Sequence, residues 1–95
     1  MANKKRIKQI SNRQHSILRA VKKIPRIRIE SSSMISIGYD AADNLLDIEY
    51  PSGEMYRYFH VPAWEYENFI KAESKGTYLN HEFKKAGYDY RKHSD

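Results

Sequence analysis

Apolar residues recur in the first quarter of the chain at Ile7, Ile10, Ile17, Val21 and Ile24, with Gln14 in the missing place. Steps of three and four residues are the stripe of an amphipathic helix, here with a heptad-like spacing. Leu18 widens the stripe, and Ser11 followed by Gln14 resembles a capping box. Pro25 ends the helix, because proline disfavours helical backbone at the residue before it. From Arg26 the period falls to two: Arg26, Arg28 and Glu30 alternate with Ile27 and Ile29, a short strand. After a polar joint of three serines, alternating patterns predict strands over 34–39, 45–50 and 54–61, with a turn over 40–44.

Pro51-Ser52-Gly53 sets the register of the central hairpin. Proline suits the first central position of a type I turn, and glycine suits the left-handed position that closes a three-residue loop. Tyr50 then faces Glu54, Ile48 faces Tyr56 and Leu46 faces Tyr58. One sheet face collects Ile35, Ile37, Tyr39, Leu46, Ile48, Tyr50, Tyr56 and Tyr58, and is the expected core. The other collects Ser36, Gly38, Asp47, Glu49 and Arg57 and is expected to face water. Asp47 and Arg57 are then an exposed cross-strand pair worth well under about 1 kcal/mol.

Pro62 opens a helix at its favoured first position, with Trp64, Tyr66, Phe69 and Ile70 as the apolar stripe. Ser74-Lys75-Gly76 breaks it and caps a second helix, whose apolar positions are Tyr78, Leu79 and Phe83. Gly87 is a C-terminal cap, and residues 88–92 form a short extended tail suited to a sheet edge. The fold class is α+β: a small antiparallel β-meander with two helices packed on one face, plus a basic N-terminal helical arm. The expected division is an arm over 1–25, a domain over 26–92 and a tail over 93–95.

Charge changes the picture more than composition does. Residues 1–30 hold ten lysines and arginines against Glu30 alone, net +9, and the remaining 65 hold seven against eleven acids, net −4. A mildly acidic domain with a basic arm suits a polyanion, RNA or other nucleic acid above all. The chain has no cysteine, which excludes disulfides and thiolate metal sites and is compatible with a cytoplasmic location. No apolar run approaches the roughly 18 residues of a membrane span.

Four motifs in order resemble the KTSC domain, named for the C-terminal region of some lysyl-tRNA synthetases. They are Ser32-Ser33-Met34-Ile35-Ser36-Ile37-Gly38-Tyr39-Asp40, Tyr56-Arg57-Tyr58, Val61-Pro62, and Ser74-Lys75-Gly76-Thr77-Tyr78-Leu79-Asn80 with Phe83 beyond it. The resemblance covers about residues 27–91 and leaves the basic arm outside. It implies a domain of this kind and an association with RNA. It also marks Tyr56, Tyr58 and Asn80 as family-motif positions, which the register reads as structural more than ligand-facing.

The candidate nucleic-acid contacts are Lys4, Lys5, Arg6, Lys8, Arg13, Arg19, Lys22, Lys23, Arg26 and Arg28 in or next to the arm, and Arg91 and Lys92 in the tail. Ser74, Lys75 and Gly76 have two readings. They form a phosphate cradle at a helix N-terminus, or Ser74 is a cap and Gly76 relieves crowding. Tyr56 and Tyr58 likewise either stack on unpaired bases or are core rings with hydroxyls at the sheet margin. His15, His60, His81 and His93 have no metal-ligand spacing, and no catalytic elbow, P-loop or dinucleotide fingerprint is present. No catalytic residue, metal or cofactor is therefore expected, and the chain reads as a binding protein, not an enzyme. The leading function is RNA binding, mainly through backbone phosphates. The alternative is a protein-interaction module that docks its N-terminal amphipathic helix on a protein partner without nucleic acid.

Overall fold

The computed structural model describes residues 19–93. Lys4, Lys5, Arg6, Lys8 and Arg13, the stripe positions Ile7, Ile10 and Ile17, and most of the predicted N-terminal helix lie outside the described residues. The described chain starts in a helical turn at 19–21 and then runs extended to β1 (Ile27–Arg28). Strands β2 (Ser36–Asp40), β3 (Leu45–Glu49) and β4 (Met55–Tyr58) follow. Helix α1 (Ala63–Lys71) comes next. The second helical segment begins as α2 (Lys75–Tyr78), widens into a π-helical stretch (Leu79–Phe83) and closes as α3 (Lys84–Ala86). Strand β5 (Tyr90–His93) ends it. The sheet is an antiparallel meander in the order β1-β2-β3-β4-β5.

The hairpin register is the one the turn dictates. Leu46 pairs with Tyr58, Asp47 with Arg57 and Ile48 with Tyr56. The amide of Tyr50 donates to Glu54 O (2.9 Å) and that of Gly53 to Tyr50 O (2.9 Å), and Gly53 has φ +89°. This is the left-handed position only glycine adopts freely. Gly87, at φ +72°, ends the second helical segment in the same way.

Both helical segments pack on the face carrying Ile37, Leu46 and Ile48. Phe69 from α1, and Leu79 and Phe83 from the π-helical stretch, close the core over Met34 and Val61. Helix α1 is rotated from the expected stripe: Trp64 is 60% exposed while Glu65 is buried. Glu65 and Phe69 lie four residues apart and share a helix face. The Glu65 carboxylate accepts from the Tyr78 hydroxyl and from the Tyr88 hydroxyl (3.1 Å), so it is buried with partners.

The second sheet face is not wet. Residues 19–26 run across it. Ile24 is buried, and a Cβ added at Gly38 would lie 2.5 Å from Pro25 O and 3.1 Å from Ile24 Cγ2. Gly38 is thus the gap into which this segment fits. Asp47 and Arg57 are 0% and 1% exposed, so the expected surface ion pair is a buried one. Alternation within the strands identified both faces, but it could not show that the chain's own N-terminal segment covers the polar one.

Candidate nucleic-acid interface

The three family-motif residues converge. Tyr56, Tyr58 and Asn80 line one open groove of about 640 Å³, with Phe83, Lys84 and Tyr90 among the other walls. That size suits a nucleotide-scale ligand. The groove lies between the second helical segment, anchored through Leu79 and Phe83, and the tyrosines of β4 and β5. Tyr56 and Tyr58 do point to the helix side, as the register requires. They are only partly covered: each ring packs on its neighbours and keeps part of its surface exposed.

Tyr58 meets Phe83 edge-on at 5.0 Å and Tyr90 at 5.4 Å, and its hydroxyl is 2.8 Å from that of Tyr50. Tyr56 meets Tyr90 at 5.7 Å, nearly perpendicular, and its hydroxyl donates to Glu54 Oε2 (3.0 Å). Burial first, then the shared hydrogen bond with Tyr58, pushes the Tyr50 hydroxyl far above its ordinary value. Burial also raises Tyr58, and the Glu54 carboxylate raises Tyr56. The hydroxyls are therefore neutral at pH 7. The groove offers uncharged aromatic surface with one side-chain amide, from Asn80, and one ammonium, from Lys84. Asn80 lies in the π-helical stretch, an irregularity that recurs where helices carry function.

The other predicted contacts scatter. Arg19 lies 3.7 Å from Asp43, and Lys22 pairs with Asp40 and, at 3.1 Å, with Asp43. Lys22 in turn holds the Asp40 carboxyl below the usual carboxylate range. Lys22 serves the domain's own acids before any phosphate, whereas Arg19 is only partly engaged with Asp43. Lys23 and Arg28 are exposed and Arg26 is half-buried. Lys92 lies 3.5 Å from Glu54, and Arg91 is exposed on β5.

Ser74 caps the second helical segment, accepting from the Thr77 amide at 3.2 Å. Lys75 follows in the first turn, half-buried. Gly76 is buried, and an added Cβ would overlap the Ser33 side chain. Its backbone approaches the serine joint, not open space. The geometry matches the cap-and-crowding reading, with the crowding coming from Ser33.

Arg57, expected on a wet face, is instead buried with several partners. Its Nε and Nη2 donate to Asp47 Oδ1 (2.7 Å) and Oδ2 (2.9 Å), and Nη1 donates to Arg19 O (2.7 Å). Nη2 also lies 3.2 Å from His93 Nε2. A guanidinium only donates, so that imidazole nitrogen is the acceptor. Arg57 ties β3, β5 and the N-terminal segment together. The available signal was its place inside Tyr-x-Tyr opposite an aspartate.

Taken together, these features define a small α+β domain: an antiparallel meander, helices over one face and an aromatic groove at the β4–β5 margin. The KTSC domain profile matches residues 30–92, and the chain belongs to the KTSC domain family. A KTSC domain protein of known structure from Yersinia pestis superposes with a TM-score of 0.69 at 32% identity, covering 76% of this chain and all of that one. An uncharacterized protein of Stutzerimonas stutzeri is 38% identical over 65 residues, covering 68% of this chain and 92% of its own length. A lysine–tRNA ligase of Trichormus variabilis is 34% identical over 73 residues, 77% of this chain but only 13% of the ligase. No helix among the described residues is long and apolar enough to cross a membrane.

Proposed function

We propose that the chain binds single-stranded nucleic acid, RNA in preference, with an unpaired base in the tyrosine groove and phosphates on the exposed lysines and arginines. The convergence of Tyr56, Tyr58 and Asn80 beside Lys84 carries this reading. Rings with free faces stack on any base, and a side-chain amide can hydrogen-bond a base edge. The likeness to a segment of a lysine–tRNA ligase supports RNA as the polymer. Backbone charge supplies affinity, and the groove supplies the preference for unpaired bases. Binding, not catalysis, is the activity proposed.

The protein-docking alternative is weakened at one point. Ile24, one of its stripe residues, is already buried on the chain's own sheet, while Val21 is 64% exposed. The two readings separate by fluorescence anisotropy with a labelled oligouridine at low salt. Tyr56→Ala should weaken binding about five- to 100-fold, as loss of one stacked base does, and Tyr56→Phe should keep it. A matched duplex should bind more weakly than the single strand. Absence of binding at low salt, or equal affinity for Tyr56→Ala, would sink the proposal.

A further inference from the structure

A second cavity, of about 360 Å³, lies beside the groove and is lined by Arg19, His60, Asp89, Tyr90 and Arg91. Three segments far apart in sequence build it: the N-terminal helical turn, the loop after β4, and the start of β5. Their positions are fastened. The Phe59 amide donates to Asp89 O (2.9 Å) and the Val61 amide to Asn44 O (2.9 Å). Arg57 holds the Arg19 carbonyl from below. Between the two amide bonds His60 takes φ +60°, a left-handed turn uncommon for a residue with a side chain, and it is exposed.

The residues lining the cavity include two arginines and a histidine against one acid, Asp89. Arg19 is partly engaged with Asp43 at 3.7 Å. Arg91 makes no ion pair among the described residues. Arginine forks match the oxygens of a phosphate, and an imidazole N–H can donate to one. Tyr90, 60% exposed on the edge strand, lines both this cavity and the aromatic groove.

We propose that Arg19, His60 and Arg91 form a phosphate-binding pocket, and that it holds a backbone phosphate of the strand whose base enters the groove across Tyr90. The second half of this statement rests on the nucleic-acid reading above; the first stands without it. Asp89 opposes the anion and sets how tightly the pocket binds.

The test has two arms on the full chain. In the first, inorganic phosphate is titrated while amide and imidazole NMR signals are followed. Saturable shifts at His60, Tyr90 and Arg91 are expected, lost in Arg91→Gln and strengthened in Asp89→Asn. Arg91 is exposed on an edge strand, so its substitution leaves the fold intact, which circular dichroism checks. No shift at millimolar phosphate, or shifts unchanged in Arg91→Gln, would overturn the pocket. In the second arm, oligouridine affinity is measured against salt. Arg19→Gln/Arg91→Gln should lower the slope of log K on log salt by about 0.7, one phosphate's worth for a single strand. An unchanged slope in a protein that still binds oligouridine would overturn the link to the strand while leaving the groove reading in place. Phosphate shifts without oligouridine binding would support the pocket and overturn both the link and the groove reading.

Discussion

Arg57 and Asp47 form a two-pronged ion pair, 2.7 and 2.9 Å, at the centre of a sheet face closed to solvent by residues 19–26. A buried pair of this kind contributes little compared with an apolar pair of equal shape, but breaking it strands a charge without water. Arg57→Ala and Asp47→Ala should each lower stability by about 3–5 kcal/mol in urea unfolding. The double substitution to Met and Leu should recover most of the loss. Arg57→Lys should not, because an ammonium cannot span both carboxylate oxygens and the Arg19 carbonyl.

The same cover sets the boundary of a foldable truncation. Removing residues 1–18 leaves every described contact in place, and it deletes Lys4, Lys5, Arg6, Lys8 and Arg13. The salt dependence of RNA binding should fall. Removing residues 1–24 also strips Ile24 and the carbonyls that Arg57 holds, and should lower the melting temperature sharply. Equal stability of the two truncations would show that the 19–24 segment covers nothing of consequence.

Gly76 and Ser33 test the capping reading. Gly76→Ala drives a methyl into the Ser33 side chain and should cost about 1–3 kcal/mol. Adding Ser33→Gly should restore most of it. Restoration of folding without restoration of phosphate or RNA binding would revive the cradle.

Alkaline stability follows from Glu65. The hydroxyls of Tyr78 and Tyr88 are pushed up to about 12, by burial first and by the Glu65 carboxylate after it. The folded state therefore holds these protons more tightly than the unfolded chain, whose tyrosines titrate near 10.0. Their contribution is fully present below pH 10 and is lost as pH rises towards 12. The urea midpoint should fall over that window. Tyr78→Phe/Tyr88→Phe should flatten the fall, at the cost of leaving Glu65 buried without its partners.

Tyr58 should matter to both folding and binding. Its ring packs on Phe83 and Tyr90, so Tyr58→Ala should destabilise by roughly 2–3 kcal/mol, less than for a fully buried ring. Tyr58→Phe removes only the hydroxyl contact with Tyr50 and should retain binding. A neutral Tyr58→Ala would show that the ring is not packed as described.

The amino-acid sequence alone determined the strands, the hairpin register and the two helical segments. Those rest on local physics: a period of two, a Pro-Ser-Gly turn that admits one pairing, a serine cap and a left-handed Gly87. The motif residues Tyr56, Tyr58 and Asn80 were legible through a family pattern, but not their meeting in one groove. That meeting depends on the packing of Leu79 and Phe83, which seats the helix against the tyrosines of β4 and β5. Tertiary structure also decided the fate of the polar face. Ser36, Gly38, Asp47 and Arg57 alternate as a wet surface would, and only the tertiary structure lays the N-terminal segment on this face, with Ile24 and Pro25 against Gly38 and the Arg19 carbonyl on Arg57. The same is true of Glu65, which looks like a helix-surface acid until Tyr78 and Tyr88 arrive from other segments. Periodicity reports which side of an element a residue lies on. What covers that side is set by contacts between residues distant in sequence, and no local pattern encodes them.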